Sequence, residues 1–380
     1  MLDLNLIRDD IDATDKQIVE LFEKRMELCK NVAEFKIENG KPVLDTTREK
    51  QKIEKVRALA TNDFNEKSVE ELFKQIMAMS RKLQYQILEK HNVKSDVDKI
   101  IDFKEVHKVD IQSAKVVYQG LEGAYAHDAV CQYFGEDCNK YHVESWRDAM
   151  EEVKEGRADY AVLPIENSTA GIVSQVYDLL VEYDNYIVAE TFVKVEHALL
   201  GTPDAQIEDI KEVYSHPQSL MQSAKFLEEH REWQQISLSN NAVSAKKVAD
   251  DNDKSKAAIA SVRAGKLYGL KVLQEKVNYS DVNTTRFVIV GKNKIYSNDA
   301  KKVSICFELA HESGSLYNML SHFIFNDLNM TNIESRPIEG RKWEYRFFVD
   351  FEGKLGDAAV KNALKGIGAE ALSLMILGSY

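Results

Sequence analysis

Proline is scarce in this chain, five in 380 residues, and positions 1–91 hold one proline and one glycine, both between 38 and 45. So few helix breakers leave room for long helices on either side of that short segment. No apolar run approaches the ~20 residues that a membrane-spanning helix needs. The opening MLDLNLIRDDIDATDK lacks the basic start and apolar centre of a secretory leader. A cytoplasmic protein with no membrane partner is expected. The four cysteines, Cys29, Cys131, Cys138 and Cys306, form no CxxC pair and read as free thiols. The nine histidines show no HExxH or similar spacing, so no metal is expected. A formal charge of −12 argues against a nucleic-acid surface. Any anionic ligand should then be held by a few arginines placed locally, not by a general positive field.

The length fits two or three domains. Leu4, Ile7, Ile11, Ile18, Leu21, Leu28, Val32 and Phe35 recur at three-, four- and seven-residue spacings, with one gap at Thr14. The period predicts a single helix to about Lys36, roughly 50 Å long at 1.5 Å per residue. A shorter helix is expected over 46–59, capped by Asp45 or Thr46. A third is expected over about 65–91, with Val69, Leu72, Phe73, Ile76, Leu83 and Ile87 on its apolar side. A first helix this long has too few partners in its own chain to cover it, which predicts dimerisation through it. Residues 92–114 are charged and without period, and read as a linker. From 115 onward, short β-like runs (KVVYQG, DYAVLP, NYIVAETFVKV, HALLG, EVYSHP, AAIAS, TRFVIVG) alternate with helical ones. That alternation predicts a mostly parallel, two-lobed α/β architecture. From about 301 the order reads strand, helix, strand, strand, helix, strand, the ferredoxin-like α+β arrangement.

The polar residues of the helical part carry chemistry. Arg25 and Lys36 are eleven residues apart, which at 100° per residue puts them within ~20° of one face. Arg8 falls roughly 100° away from Arg25 on the same arithmetic, so it suits a partner's pocket better than its own. Arg48 and Glu49 share the side of Asp45 on the second helix, and Ser80 and Gln84 are an i,i+4 pair on the third. With IRDDID (7–12), KR (24–25), AEFK (33–36), PVLDTTRE (42–49) and SRKLQ (80–84), residues 1–91 resemble the all-helical chorismate mutases.

The resemblance implies that Arg25 and Arg48 of one chain, with Arg8 of another, hold the two carboxylates of chorismate. It further implies that Lys36 and Gln84 are the catalytic donors to the breaking ether oxygen, that Asp45 and Glu49 meet the ring hydroxyl, and that Ser80 meets a carboxylate. A pericyclic shift needs no nucleophile and no proton transfer. It needs a flexible dianion held compact and charge stabilised where it develops. Bidentate arginines suit that task. No cofactor is expected.

The segment QGLEGAYAHDA (119–129) contains Gly120 and Gly123 spaced GxxG, a weak match to a dinucleotide-binding GxGxxG. It is instead similar to the opening motif of prephenate dehydratases. PIENSTAG (164–171), HALLG (197–201), SHPQSLMQ (215–222), AAIAS (257–261), YGL (268–270) and NTTRF (283–287) agree, so the resemblance spans about 115–292. Ala126 stands where that family often has serine or threonine, and Asn241 where threonine is common. The resemblance implies that Thr285 donates to, or polarises, the leaving hydroxyl of prephenate, which becomes phenylpyruvate. Arg286 would orient the loop or bind the pyruvyl carboxylate. Glu166, Asn167, Ser168, Ser215 and Gln222 would line the cleft, and His197 and His216 read as structural. Arogenate is the alternative substrate.

Residues 301–380 resemble the ACT regulatory domain, on ESGSLYNML (312–320), IESRP (333–337) and WEYRFFVDF (343–351). This implies a phenylalanine effector held between paired modules by Gly314, Ser315, Leu316, Glu334, Ser335, Arg336 and Pro337. It also implies a homodimer formed through this module and the first helix. Ser315 replaces the family's usual alanine.

Overall fold

A computed structural model describes residues 3–91, 93, 96–312 and 314–380. The chain divides into two compact units, Met1–Asp102 with Cys306–Met375, and Phe103–Ile305 with Ile376–Tyr380.

The first unit opens with three helices, α1 (Leu4–Glu38), α2 (Thr46–Arg57) and α3 (Asp63–Lys90). Each begins at a side chain that answers an orphan backbone N–H. Asp3 accepts from Asn5 N, Asp45 from Arg48 N and Asn62 from Asn65 N, all at 2.9 Å. The break after α1 falls at Gly40, which turns with a positive φ of 59°, followed by Pro42. Both α1 and α2 pack on α3. Only Ala33 of α1 is buried, while Leu21 and Leu28 of its apolar stripe are 67% and 58% exposed. The stripe that predicts the helix is therefore left largely uncovered among the described residues.

The C-terminal half of α3 is buried, charged residues Arg81 and Lys82 included. It is covered by the helices Ser315–Phe325 and Ala358–Glu370. These belong to a run in β-α-β-β-α-β order whose strands lie side by side as Met330–Pro337, Tyr345–Glu352, Lys302–Glu308 and Ser373–Ser379. The motif IESRP lies inside Met330–Pro337, the edge strand, where residues alternate between half-buried and exposed.

In the second unit two lobes share one plan. The first orders its strands Tyr186–Lys194, Thr284–Gly291, Tyr160–Asn167, Lys115–Gln119 and Asn139–Val143. The second orders them Lys271–Gln274, Ala198–Gly201, Lys256–Ala260, Glu212–Ser215 and Gln234–Ser237. In each lobe the first two neighbour pairs are antiparallel and the last two parallel. The expectation of a mostly parallel sheet is thus corrected to a mixed one. The strand that leaves for the second lobe and the strand that returns from it lie side by side, so they must run in opposite directions. Lys104–Val106, read as linker, pairs with Ile295–Ser297. Three residues are too few to show a period.

The helix Ala358–Glu370 carries two glycines. A Cβ at Gly366 would collide with the ring of His322, and one at Gly368 with Val97. Glycine costs a helix interior about 1 kcal/mol relative to alanine. Gly366→Ala should nevertheless destabilise the first unit, by about 1–3 kcal/mol of overpacking. The check is thermal and denaturant unfolding, where a rise in stability would show that propensity outweighs the contact.

Candidate active sites

Two groups of polar side chains stand out, one in each unit. In the helical group, Arg25 of α1 donates through Nη1 to Ser80 Oγ of α3 at 2.5 Å. Lys36 Nζ donates to Val43 O at 2.6 Å. Burial lowers the Lys36 pKa, while the nearby carboxylates of Asp45 and Glu49 oppose that shift. Gln84 is buried; its Nε2 donates to Ser80 O at 3.2 Å and its Oε1 has no partner among the described residues. Glu49 receives both its oxygens' bonds from Arg81, at 2.7 Å each. Asp45 caps α2, and Arg48, one turn on, is exposed. The fold thus brings Arg25, Lys36, Asp45, Arg48, Glu49, Ser80 and Gln84 onto three adjoining helices. Arg8 is the exception. It is exposed, and seventeen residues of helix separate it from Arg25, roughly 25 Å along the axis.

The second group lines a cleft of about 390 Å³ between the lobes of the second unit. Thr285 reaches it from the strand Thr284–Gly291, opposite Asn167 in register. The pairing skips Ile165, so that Arg286 faces Glu166 while Phe287 faces Pro164. A proline has no N–H for the ladder, and such a bulge re-aims the side chains beside it.

The orientation of Asn167 follows from its partners. Its Oδ1 accepts from Thr169 N (3.0 Å), Thr169 Oγ1 (2.8 Å) and Ala170 N (2.9 Å). Its Nδ2 therefore donates, to Asn283 Oδ1 at 2.8 Å and Thr285 Oγ1 at 2.9 Å. Thr285 is an acceptor in that bond, which leaves its own O–H for the cleft. Gln222 continues the chain. Its Nε2 donates to Thr169 Oγ1 (2.8 Å), and its Oε1 accepts from Asn283 Nδ2 (3.0 Å). His197 Nε2 lies 2.9 Å from that same oxygen, so it carries the proton there. The other ring nitrogen, Nδ1, is 2.9 Å from the Tyr125 hydroxyl, which also lies 2.9 Å from Glu196 O. Burial, opposed in part by the bond to Gln222, holds the His197 pKa below the ordinary imidazole value.

Among the described residues, no lysine, arginine, aspartate or glutamate lines this cleft. The expectation that local arginines hold every anionic ligand does not apply here. What faces the cleft instead is the start of the helix Tyr125–Phe134, which has no side-chain cap and so presents free backbone N–H groups. Amides of Asn240, Asn241 and Gln218 join it, with an apolar wall of Trp146, Val173, Val195 and Phe287.

Of the residues expected to bind prephenate, Asn167, Gln222 and Thr285 line the cleft; Glu166, Ser168, Ser215 and Arg286 do not. Arg286 sits on the opposite face of its strand, donating to Glu190 Oε2 (2.7 Å) and the Tyr380 hydroxyl (2.8 Å), with Glu166 3.9 Å away. Ser168 Oγ bonds Val282 O at 3.0 Å, closing the loop. Ser215 is fully buried against Ile259 O at 2.6 Å. Asn241, which stands where threonine is common and so lacks a hydroxyl, is a hub. Its Oδ1 takes bonds from His216 N at 3.2 Å and Ser219 Oγ at 3.0 Å, and Ser215 Oγ lies 3.2 Å away. Thr169 and Asn283 join the site without having been expected there, although both fall within quoted motifs.

Another cavity, of about 370 Å³, lies in the first unit, lined by Gly314, Ser315, Leu316, Tyr317, Trp343 and Tyr345 among others. Ser315 Oγ is turned onto Ala310 O (2.8 Å) and Glu312 O (2.6 Å), so its hydroxyl serves the loop. Glu334, Ser335, Arg336 and Pro337 do not line this cavity.

Among the described residues no helix is long and apolar enough to cross a membrane. Residues 7–85 match the family model of chorismate mutase type II, and residues 116–295 that of prephenate dehydratase. A bifunctional chorismate mutase/prephenate dehydratase of Buchnera aphidicola is 32% identical over 100% of this chain and 96% of its own. A solved prephenate dehydratase from Arthrobacter aurescens, in complex with L-Phe, is 28% identical, with a TM-score of 0.65 over 70% of this chain and 89% of its own. Another solved structure, GqqA, described as a novel type of quorum quenching acylase, is 30% identical, with a TM-score of 0.64 over 70% of this chain and 97% of its own. With likeness running from end to end, and both catalytic segments matched in order, the chain belongs to the bifunctional chorismate mutase/prephenate dehydratase family.

Proposed function

We propose that the two reactions of this enzyme, chorismate to prephenate and prephenate to phenylpyruvate, are carried by the two residue groups described above. The observation that carries the second assignment is the bond from Asn167 Nδ2 to Thr285 Oγ1, which turns the threonine proton toward the ligand. Dehydration expels a hydroxide, so a hydrogen bond to the leaving oxygen lowers its barrier. The departing carboxylate gains from the apolar wall and the lack of a cation, since a salt bridge would hold it in place. No carboxylate in the described lining could pair with the ammonium group that distinguishes arogenate, which favours prephenate. Amide hydrolysis is not favoured. His197 is held by Tyr125 and Gln222, while Ser219 is bonded to Asn241, so these two form no nucleophile–base pair.

For the mutase, Arg25 and Arg48 take the carboxylates of chorismate, and Lys36 and Gln84 the ether oxygen. Arg8 serves the pocket of a second copy, packed along the exposed apolar stripe of α1. The distance from Arg8 to Arg25 and the uncovered leucines support this homodimer. The C-terminal module is an ACT domain of ferredoxin-like fold that binds phenylalanine. Support comes from the aromatic lining of Tyr317, Trp343 and Tyr345, and from the L-Phe held by the Arthrobacter relative. A paired module would present its edge strand, and IESRP with it, to the same ligand.

Thr285→Ala should remove most dehydratase activity and leave the mutase working, so that prephenate accumulates from chorismate. Unchanged phenylpyruvate formation would exclude the threonine. Arg8→Ala and Arg25→Ala should each abolish mutase activity, while a co-refolded mixture regains part of it, because a mixed dimer has one intact pocket. No recovery in verified heterodimers would place Arg8 in its own chain's pocket. Phenylalanine should bind by calorimetry and slow the dehydratase roughly 5- to 150-fold, a typical coupling between two sites. Tyrosine should do so far less, and an enzyme that neither binds nor slows at millimolar phenylalanine would refute the regulatory assignment.

A further inference from the structure

Two adjacent basic residues of α3 are buried, and neither belongs to the group assigned to chorismate. Arg81 is 8% exposed. Its Nη1 reaches both oxygens of Glu49 at 2.7 Å, while its Nε donates to Glu370 Oε1 at 2.7 Å and its Nη2 lies 3.4 Å from Glu370 Oε2. One guanidinium thus sits between a carboxylate of α2 and the last residue of the helix Ala358–Glu370. Behind Glu370, His322 Nε2 is 3.4 Å away. Burial alone would raise the Glu370 pKa, but His322 and Arg81 outweigh it and hold it at about 2. Lys82 turns to the helix Ser315–Phe325, donating to Ser321 Oγ at 2.7 Å, and lies 5.3 Å from the centre of the Phe325 ring. Lys365, on the same helix as Glu370, pairs with Glu89 of α3 and lies 3.4 Å from Asp98. The helix α3 is therefore tied to Ala358–Glu370 by ion pairs and to Ser315–Phe325 by the Lys82 ammonium.

We propose that Arg81 is a positioning residue of the mutase reaction. It fixes the Glu49 carboxylate, Glu370 fixes Arg81, and the mutase step therefore depends on the C-terminal helices. This rests on the reading that Glu49 meets the ring hydroxyl of chorismate. A carboxylate has about four acceptor sites, and Arg81 fills two of them, so a ligand hydroxyl still has a place. The Glu49 side chain is 27% exposed, open enough for a ligand and, without Arg81, free to rotate. A guanidinium held in a fork by two carboxylates has one plane and one position. Removing Glu370 leaves the Nε and Nη2 of a buried guanidinium without their acceptor, which the site can relieve only by moving.

The test uses the full chain and three variants, Arg81→Met, Glu370→Gln and Glu49→Gln, singly and combined. Mutase kcat and KM, dehydratase kcat on supplied prephenate and the thermal midpoint are measured for each. Arg81→Met should lower mutase kcat/KM roughly 10- to 100-fold, the effect of displacing a contributing group by about 1 Å. Glu370→Gln, which keeps the shape, should lower it less, and dehydratase kcat should not change. In the Glu49→Gln background both substitutions should lose most of their effect, because no carboxylate remains to be held. A purely structural role would give the same loss in either background. Wild-type mutase constants in Glu370→Gln, or equal losses in the two backgrounds, overturn the proposal. Normal mutase activity in Glu49→Gln would overturn the reading of Glu49 itself, and the proposal with it.

Discussion

Asn167 has a single amide whose two ends cannot be exchanged, and the dehydratase cleft is arranged around that fact. Two backbone N–H groups and a hydroxyl converge on its oxygen, so its nitrogen must face Asn283 and Thr285. Gln222 is fixed by the same logic one layer deeper, between Thr169 and Asn283, and its oxygen in turn sets the tautomer of His197. A run of neutral groups with one permitted direction is already oriented before a ligand arrives. That is the condition under which dipoles stabilise developing charge without first having to turn. It also makes the run cooperative, because reversing any one amide would set two acceptors or two donors against each other.

On the proposed assignment of the two sites, the chain deals with two dianions by opposite means. The helical group offers arginines and a lysine, and pericyclic rearrangement leaves both carboxylates of chorismate in place, so strong clamps do no harm. The dehydratase cleft offers backbone N–H groups and amides with no fixed charge among its described lining. One of its substrate's carboxylates must leave as carbon dioxide, and a guanidinium bound to it would stabilise the ground state against that step. The difference in residue type follows from the difference in chemistry, within one sequence of strongly negative net charge.

Much of this is legible in the amino-acid sequence. The α1–α3 pattern and the Asp45 cap can be read from period and capping alone, because helices are local. The face of Arg286 can be read too: side chains alternate along a strand, so if Thr285 points into the cleft, Arg286 points away. Its partners Glu190 and Tyr380 are remote in sequence, and nothing local announces them. The same holds for Asn283, Thr169 and His197, whose roles exist only as mutual distances. Asn241 shows the reverse error. Judged by the hydroxyl it lacks, it reads as a loss, yet its amide oxygen collects a backbone N–H and a hydroxyl from the start of a neighbouring helix. The mixed sheets are hidden for a topological reason, since no window of sequence records that the chain leaves one lobe and returns beside its own exit.

The helix that ends at Glu370 shows how a local penalty can be part of a distant contact. Two glycines in three residues weaken a helix, and neither supplies a turn. Gly366 makes room for the His322 ring, and that ring reaches within 3.4 Å of Glu370. With a methyl group at 366 the two helices would stand further apart, and the carboxylate that meets Arg81 would move with them. The positions of Glu370, Arg81 and Glu49 are thus fixed in series, from a missing side chain on the last helix to a carboxylate on the second. Weighed only by its own neighbours in sequence, a glycine in a helix looks like a fault and a buried arginine like an exception. Across the contact each accounts for the other.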